Sequence, residues 1–219
     1  MSMKKPRLKQ ARRLGRDPGL ISGIRDIGSK CKFNTRPGVH GAKRIRVSDY
    51  GKSLKEKQYF CISYGLRNKQ LYSLHIAAIK LMRNLRKQGK EPDYRLRIML
   101  ESRLDRVVHR MGWAVTLAEA RRQLVSHGAI LVNGKKLNKP GYQTKPGDII
   151  AIKEKSQKQD RIHTSLKAYN ENNTGAAIDW VTKGEDQMSG IFVRFPTQDE
   201  LSKIMPDFQE DQVIQFYSK

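Results

Sequence analysis

A sixteen-residue stretch near the middle of the chain, QLVSHGAILVNGKKLN at residues 123–138, places the strongest constraint on the fold. Its first part has the apolar spacing of a helix end, and Gly128 is a typical helix terminator. The run AILVN that follows is rich in β-formers, and Asn133-Gly134 favours a type I′ hairpin turn. The stretch therefore predicts a helix that leads directly into a β-hairpin, with Lys135 and Lys136 at the tip.

Two short helices are predicted in this part of the chain. In RLDRVVHRMG the apolar residues recur at i, i+3, i+4 and i+7 and form one helix face. Thr116 and Glu119 form a capping box that begins the second helix. The polar residues of the two helices are expected to point outward: Arg103, Arg106 and Arg110 on the first, and Arg122, Gln123, Ser126 and His127 on the second.

The N-terminal part of the chain divides into two regions of different composition. Residues 1–47 are cationic and rich in glycine and proline, which predicts a basic extended arm that orders on a partner. Residues 48–100 predict a helical domain, and a capping box at Ser53 and Glu56 is expected to begin its first helix. A second helix is expected from about residue 68 to residue 87.

The C-terminal part supplies the small sheet and a closing segment. Residues 101–160 form the predicted helix-loop-helix and hairpin module, which continues through a KPGD turn into the strand IIAIK. Residues 161–219 are predicted to be a C-terminal segment that packs back on the helical domain. Within it GIFVRF and VIQFYS resemble strands, and Thr197 with Glu200 caps a short helix. The predicted fold class is α+β, with a small curled antiparallel sheet beside the paired helices.

The distribution of charge indicates the kind of partner. The net charge is +23, of which the first 160 residues carry +26 and the last 59 carry −3. Such an excess favours a polyanion, with nucleic acid the first candidate and an anionic membrane surface the second. No apolar run is long enough to span a bilayer, and no secretory signal is expected. Folded RNA suits an array of arginines better than DNA does, because RNA is recognised largely through shape and phosphate contacts.

The two cysteines predict neither a disulfide framework nor a metal site. Cys31 and Cys61 lie thirty positions apart, which matches no CxxC pair. We expect two ordinary reduced thiols, no metal and no cofactor.

Several motifs together resemble a known family. RLDRVVHRMG, EARRQLVSHGAILVNG and YQTKPGDIIAIKEKS are similar to the helix-loop-helix and hairpin RNA-binding module of small ribosomal subunit protein four. The resemblance extends over nearly the whole chain through PRLKQARRLG, PGVHG, SDYG followed by LKEKQ, and the terminal QFYSK, in the bacterial-type pattern. The module alone also occurs in RNA-modifying enzymes and in a heat-shock RNA-binding protein, whereas the combination of motifs is specific.

The resemblance implies a structural role without catalysis. It implies direct binding to the 5′ domain of small-subunit ribosomal RNA, nucleation of subunit assembly and an influence on translational accuracy. Implied partners are neighbouring small-subunit ribosomal proteins, especially protein five, and messenger RNA near its entry path, beside the basic residues Lys43, Arg44 and Arg46. The implied location is the cytoplasmic ribosome rather than an organellar one, with no membrane association. Some relatives also repress their own messenger.

Two departures from the family pattern affect the site. Some members carry a zinc-binding cysteine cluster in the N-terminal arm, which Cys31 alone cannot form. In TLAEARRQL, Leu117 stands where the family usually has arginine, and one extra residue lies among positions 121–123. An extra residue rotates the rest of a helix by about 100°. Either the loop before Thr116 absorbs the difference or the helix is distorted near Arg121.

The candidate RNA-binding residues come from the arm, the two helices and the hairpin. His40 either hydrogen-bonds within its own turn or contacts the RNA backbone, and His127 either interacts with the helix dipole or contacts the ligand. The full set is Lys4, Lys5, Arg7, Lys9, Arg12, Arg13, His40, Lys43, Arg44, Arg46, Arg103, Arg106, Arg110, Arg122, Gln123, Ser126, His127, Lys135 and Lys136.

Two other functions compete with a structural ribosomal role. An RNA-modifying enzyme such as a pseudouridine synthase would need a catalytic domain, and neither flank of the module offers an isolated acid in a catalytic motif. A general nucleic-acid chaperone would discriminate little among RNAs, and the acidic C-terminal quarter and the specific motifs argue against it.

Overall fold

A computed structural model of the chain describes residues 6–20, 27–41, 46–86, 95–172, 178–204 and 208–218. The chain forms two compact units. The first contains the residues up to Ser73 together with those from Phe208 onward, and the second contains residues 74–207. None of the helices in the described ranges is long and apolar enough to cross a membrane.

The first unit is helical. It contains α1 (Arg7–Leu14), α2 (Ile27–Lys30), α3 (Asp49–Ser63) and α11 (Glu210–Ser218), and α4 (Asn68–Arg86) begins in it. The expectation of an extended arm is wrong for residues 7–14. Ala11 and Leu14 bury their side chains on one face of α1, and the helix ends at Gly15, which has a φ of +70°.

Helix α3 begins earlier than the predicted capping box. The hydroxyl oxygen of Ser48 accepts a hydrogen bond from the backbone N–H of Gly51 at 3.2 Å, so Ser48 is the N-cap. Ser53 and Glu56 lie inside the helix. Glu56 is buried and pairs with Arg16, and this tertiary contact explains the acid better than a capping role does.

The C-terminal run VIQFYS is the helix α11 and not a strand, so that prediction is wrong. Val213 is fully buried, and the ring of Phe216 packs at a tilt against Tyr50 with 5.6 Å between centroids. Just before this helix, Phe208 packs against Tyr59 and Phe60 of α3, with centroids 4.7 and 4.5 Å apart. A short, largely apolar run suits either a strand or a helix, and packing against α3 decides for the helix.

The second unit combines helices with one antiparallel sheet, which confirms the α+β class. Its helices are α5 (Arg95–Glu101), α6 (Leu104–Arg110), α7 (Leu117–Glu119), α8 (Glu154–Gln157), α9 (Asp160–Asn172) and α10 (Gln198–Ile204), with a π-helix at Ala120–Ser126. The strands are β1 (Ile130–Val132), β2 (Lys135–Lys136), β3 (Ile149–Ile152), β4 (Val181–Lys183) and β5 (Ser189–Phe192). Their order in the sheet is β2-β1-β3-β5-β4.

The turns of the sheet are the predicted ones. Asn133 and Gly134 both have positive φ angles, +50° and +78°, as a type I′ turn requires, and Val132 pairs with Lys135 across the hairpin. In the KPGD turn Gly147 has a φ of +91°. The capping box at Thr197 and Glu200 is also present, because the Glu200 carboxylate accepts the Thr197 N–H at 2.6 Å at the start of α10.

The predicted C-terminal segment, residues 161–219, is divided between the two units. Strands β4 and β5 extend the sheet of the second unit, with β5 pairing to β3, while α11 lies in the first unit. Helix α9, in the polar stretch that follows the module, was not predicted. Ile162 is fully buried there and Leu166 is 6% exposed. The two residues are four positions apart and therefore lie on the same face of the helix.

The core of the second unit contains the predicted apolar faces. Trp113 and Trp180 are core residues, each 1% exposed, and the Trp113 indole N–H donates to the Gln187 carbonyl at 2.7 Å. The predicted face of α6 lies in this core with the buried residues of the second helix: Leu104, Val107, Val108, Met111, Ala120, Leu124 and Val125.

Candidate RNA-binding surface

Arg103 at the N-cap of α6 and Arg106 and Arg110 within it do not point outward, so this part of the prediction is wrong. Arg103 and Arg106 are buried and Arg110 is mostly buried. The polar face of α6 lies against the carboxylate of Glu101 at the end of α5, and Glu101 is 1% exposed. Arg106 and Arg110 share the partner Glu101 on α5, whereas Arg103 precedes α6 and pairs with Asp105. The periodicity of a single helix could not show these partners.

Each of these buried arginines is paired with an acid. Glu101 accepts from the Arg106 Nε at 3.1 Å and from the Arg110 Nε and Nη2 at 3.0 and 3.1 Å. Asp105 accepts a bidentate pair of hydrogen bonds from Arg103 at 3.1 and 3.0 Å, as expected for an acid that neighbours arginine. The pairing is required because a buried guanidinium without a counter-charge costs several kcal/mol.

A fourth arginine joins this group. The guanidinium of Arg121 donates to the Asp105 carboxylate at 2.7 Å, and its side chain is 23% exposed. We call the four arginines with their two acids the inner arginine cluster: Arg103, Arg106, Arg110, Arg121, Glu101 and Asp105.

A neutral histidine lies near part of the inner arginine cluster. His109 is buried, and burial first, then the positive charges of Arg106 and Arg110, lowers the pKa of its imidazole to about 3. Its Nδ1 has no hydrogen-bond partner among the described residues. His109 is therefore uncharged at neutral pH and belongs to the interior of the unit.

The π-helix resolves the question raised by the extra residue near Arg121. Thr116 caps the helix as predicted, accepting the Glu119 N–H at 3.3 Å, so the helix begins where the sequence places it. The helix widens over Ala120–Ser126, and the Ser126 hydroxyl donates to the Arg121 carbonyl five residues back at 2.8 Å. A π-turn is the usual way for a helix to accommodate one additional residue, and such turns are frequent at functional sites.

The π-turn separates two consecutive arginines. Arg121 turns inward to Asp105, whereas Arg122 is exposed. Gln123, Ser126 and His127 are exposed as predicted. The register of the wider helix therefore decides which arginine faces solvent.

The end of the π-helix lies against the hairpin. Gly128 has a φ of +70°, and the Ala129 N–H returns to the Leu124 carbonyl at 2.9 Å to close the helix. A Cβ at Gly128 would lie 2.1 Å from the Lys136 Cε, so the absence of a side chain makes room for this lysine. The carbonyl end of a helix attracts cations, which favours the position of Lys136.

Six predicted site residues are thus exposed on adjoining elements. Among the described residues, no carboxylate pairs with the cations Arg122, Lys135 or Lys136. We call the set the outer cationic surface: Arg122, Gln123, Ser126, His127, Lys135 and Lys136.

The predicted residues of the arm belong to the first unit. Arg12 is partly buried, and its guanidinium donates to the Thr35 carbonyl at 2.9 Å. This hydrogen bond connects α1 to the segment that follows α2. Arg7 is exposed, and its guanidinium donates to the Leu20 carbonyl at 3.1 Å. The other described candidates there are exposed: Lys9, Arg13, His40 and Arg46. Four candidates lie outside the described residues: Lys4, Lys5, Lys43 and Arg44.

The sequence-based prediction missed one cation beside the outer cationic surface. Arg161 of α9 donates to the side-chain oxygen of Gln123. The signal available in the sequence was the density of basic residues in KEKSQKQDR, but without the prediction of α9 nothing placed them near residue 123.

The described residues show no group of three or more acidic, histidine or cysteine side chains that could hold a metal ion. Both cysteines are free thiols; Cys31 is partly buried and Cys61 is buried. Burial raises the pKa of the Cys61 thiol to about 11.

Two family models match adjacent parts of this chain. One is described as the S4 domain and matches residues 102–150, which contain α6, the π-helix and the hairpin. The other is described as the ribosomal protein S4/S9 N-terminal domain and matches residues 2–101.

Curated relatives match over almost their full length. The small ribosomal subunit proteins uS4B and uS4A of Psychromonas ingrahamii are 44% and 43% identical to this chain. The small ribosomal subunit protein uS4 of Hahella chejuensis is 44% identical. Each alignment spans 214 residues and covers 98% of this chain and 97% of the relative.

Proposed function

Because this chain belongs to the bacterial-type uS4 family of small ribosomal subunit proteins, we propose that its outer cationic surface binds the 5′ domain of small-subunit ribosomal RNA. The family is structural, and the protein is an RNA-binding component of the small ribosomal subunit rather than an enzyme. An RNA-modifying activity, considered on sequence alone, is thereby set aside.

The observation that carries the proposal is the difference in pairing among the cations of the second unit. The arginines of the inner cluster are matched to Glu101 and Asp105 within the protein. Arg122, Lys135 and Lys136 are exposed without a carboxylate partner among the described residues, and they lie on elements held in fixed positions by Gly128 and the type I′ turn. A rigid array of unpaired cations suits the phosphates of a folded RNA.

The remaining expectations form the finer part of the proposal. The protein binds early in subunit assembly and nucleates it, contributes to translational accuracy, and contacts protein five. The basic residues Lys43, Arg44 and Arg46 lie near the path of messenger RNA. The protein acts in cytoplasmic ribosomes. These functions are supported by family membership and by the strongly basic first 160 residues.

The proposal also revises which arginines should contact RNA directly. Arg103 and Arg106 are buried, so their replacement would act on RNA binding through the fold. Arg122 takes their place as the exposed arginine of the module.

The test is a competition at physiological salt between a transcript of the 5′ domain and an unrelated structured RNA of equal length. We expect the transcript to bind at least tenfold more tightly. Its binding should weaken steeply as salt rises, because each neutralised phosphate releases condensed counterions. Equal affinity for the two RNAs would contradict the proposal and favour a general chaperone.

A further inference from the structure

Helix α9 lies outside the residues matched by the S4 domain but is firmly anchored in the same unit. Ile162 is fully buried in the core, and the Ser165 hydroxyl donates to the Gly112 carbonyl at 2.8 Å. A Cβ at Gly112 would come within 2.5 Å of the Tyr169 ring, so this glycine allows the helix to approach closely. Side chains on the exposed face of α9 therefore have defined positions.

Arg161 is held by two neutral side chains. Its guanidinium donates to the Gln123 side-chain oxygen, and its Nε donates to the Gln159 side-chain oxygen at 3.1 Å. An amide orients a guanidinium without neutralising its charge. The guanidinium has five N–H donors, so those that do not take part in these two hydrogen bonds can donate to a ligand.

Three lysines precede Arg161 in the segment that joins β3 to α9. The backbone N–H of Lys153 donates to the Ala129 carbonyl at 2.8 Å, which places the start of this segment next to the end of the π-helix. Glu154 and Asp160 are also exposed in this segment, but neither forms an ion pair with Arg161 in the part of the chain that the structure describes. The exposed lysines are Lys153, Lys155 and Lys158.

We propose that the RNA-binding surface continues from the π-helix onto α9, and that Arg161, oriented by Gln123, binds a phosphate of the ribosomal RNA backbone. The inference rests on the proposed function and extends it past the S4 domain. A guanidinium is suited to phosphate because its planar fork can donate two parallel hydrogen bonds. The contact positions the RNA and does not read its bases.

The test measures the affinity of the full-length protein for the 5′-domain transcript over a range of salt concentrations. Arg161→Gln should weaken binding by about tenfold or more. It should also reduce the slope of log affinity against log salt by about 1, since one phosphate contact is lost. The matched control is Lys167→Gln, which removes an exposed cation further along the same helix and should change affinity by less than about threefold.

Gln123 provides a second route to the same contact without removing the guanidinium. In Gln123→Glu the new carboxylate pairs with Arg161 and competes with phosphate, so the affinity and the slope should fall as in Arg161→Gln. In Gln123→Ala the charge of Arg161 is kept, so the slope should be retained. Gln123 is exposed, and neither change is expected to affect folding.

The outcomes separate this inference from the proposed function. If Arg161→Gln and Gln123→Glu both bind like the parent protein while Lys135→Gln with Lys136→Gln binds poorly, the extension onto α9 is overturned and the proposed function stands. A loss of affinity with an unchanged salt slope would overturn the assignment to phosphate. If Arg161→Gln, Gln123→Glu and the hairpin variant all bind normally, both proposals fail.

Discussion

The inner arginine cluster and the outer cationic surface lie in the same unit of this protein and use the same kind of residue for opposite purposes. In the cluster, the carboxylates of Glu101 and Asp105 each pair with two guanidinium groups that are wholly or largely removed from water. On the surface, Arg122, Lys135 and Lys136 face solvent without a carboxylate in the described ranges. The two consecutive arginines at 121 and 122 show the division most directly, since one belongs to each set.

The contrast between the two sets of cations indicates that a basic RNA-binding module needs part of its positive charge for its own fold. The paired arginines tie α5, α6 and the π-helix together, which holds the surface residues in a fixed arrangement. Counting arginines in the sequence therefore overestimates the number that are available for RNA.

Glu101→Gln should have the largest effect, which is a loss of stability of the second unit. It leaves Arg106 and Arg110 with a neutral partner in a buried site, which should lower the free energy of unfolding by about 3–5 kcal/mol. Urea unfolding followed by tryptophan fluorescence measures this unit alone, because the chain has two tryptophans and both are buried in it. The exposed Glu154→Gln serves as control, and a loss under 1 kcal/mol in Glu101→Gln would contradict the role given to the cluster.

The double change Lys135→Gln with Lys136→Gln should reduce RNA affinity rather than stability. Two phosphate contacts of about 1–2 kcal/mol each predict a loss of RNA affinity of about 2–4 kcal/mol, with the free energy of unfolding nearly unchanged. Filter binding to the 5′-domain transcript and urea unfolding measure the two quantities separately. Undiminished affinity would remove the hairpin from the RNA-binding surface.

His109 should make the stability of the second unit depend on pH. The folded-state pKa of about 3 lies below the ordinary value of 6.5, so below pH 6.5 the unfolded chain takes up a proton that the folded protein does not. Stability should consequently fall by about 1–2 kcal/mol between pH 6.5 and pH 5. Urea unfolding at each pH should show a weaker dependence for His109→Gln, while the exposed His163→Gln keeps it. An unchanged slope in His109→Gln would mean that His109 is solvated.

Gly128→Ala should have the smallest effect, and it should change both stability and RNA affinity. Alanine at a φ of +70° costs about 1 kcal/mol, and its Cβ would displace the flexible end of Lys136. We expect a small loss of unfolding free energy and a further small loss of RNA affinity. Gly134→Ala is the comparison, since its φ is also positive but no atom lies within 4 Å of a Cβ there. Equal RNA affinities in the two variants would show that the position of Lys136 does not matter.

Much of the fold followed from local patterns in the sequence. The apolar face of α6, the turn at Asn133-Gly134, the turn at Gly147 and the cap of α10 are all present as predicted. Each of these depends on residues a few positions apart, where periodicity or a required φ angle is sufficient. The location of the outer cationic surface followed from the same patterns, although its contact with RNA remains a prediction.

Most of the failures share a different cause. The helical form of α1 and α11 and the presence of α9 depend on partners distant in sequence, such as Phe208 against Tyr59. The start of α3 is different, because its cap at Ser48 is a local contact that the prediction overlooked. The sequence raised two alternatives for the extra residue near Arg121, a changed loop or a distorted helix. Only the hydrogen bonds of the π-turn distinguish them.

The elements of the module, their apolar faces and the excess of positive charge could be predicted from the sequence, because spacing and turn-forming residues act locally. The tertiary structure decided which cations face solvent. A guanidinium becomes buried only where a carboxylate lies within hydrogen-bonding distance, and the Glu101 and Asp105 carboxylates reach Arg110 and Arg121 across helix boundaries. Such a pairing is a property of how the helices pack, and no pattern within one helix contains it.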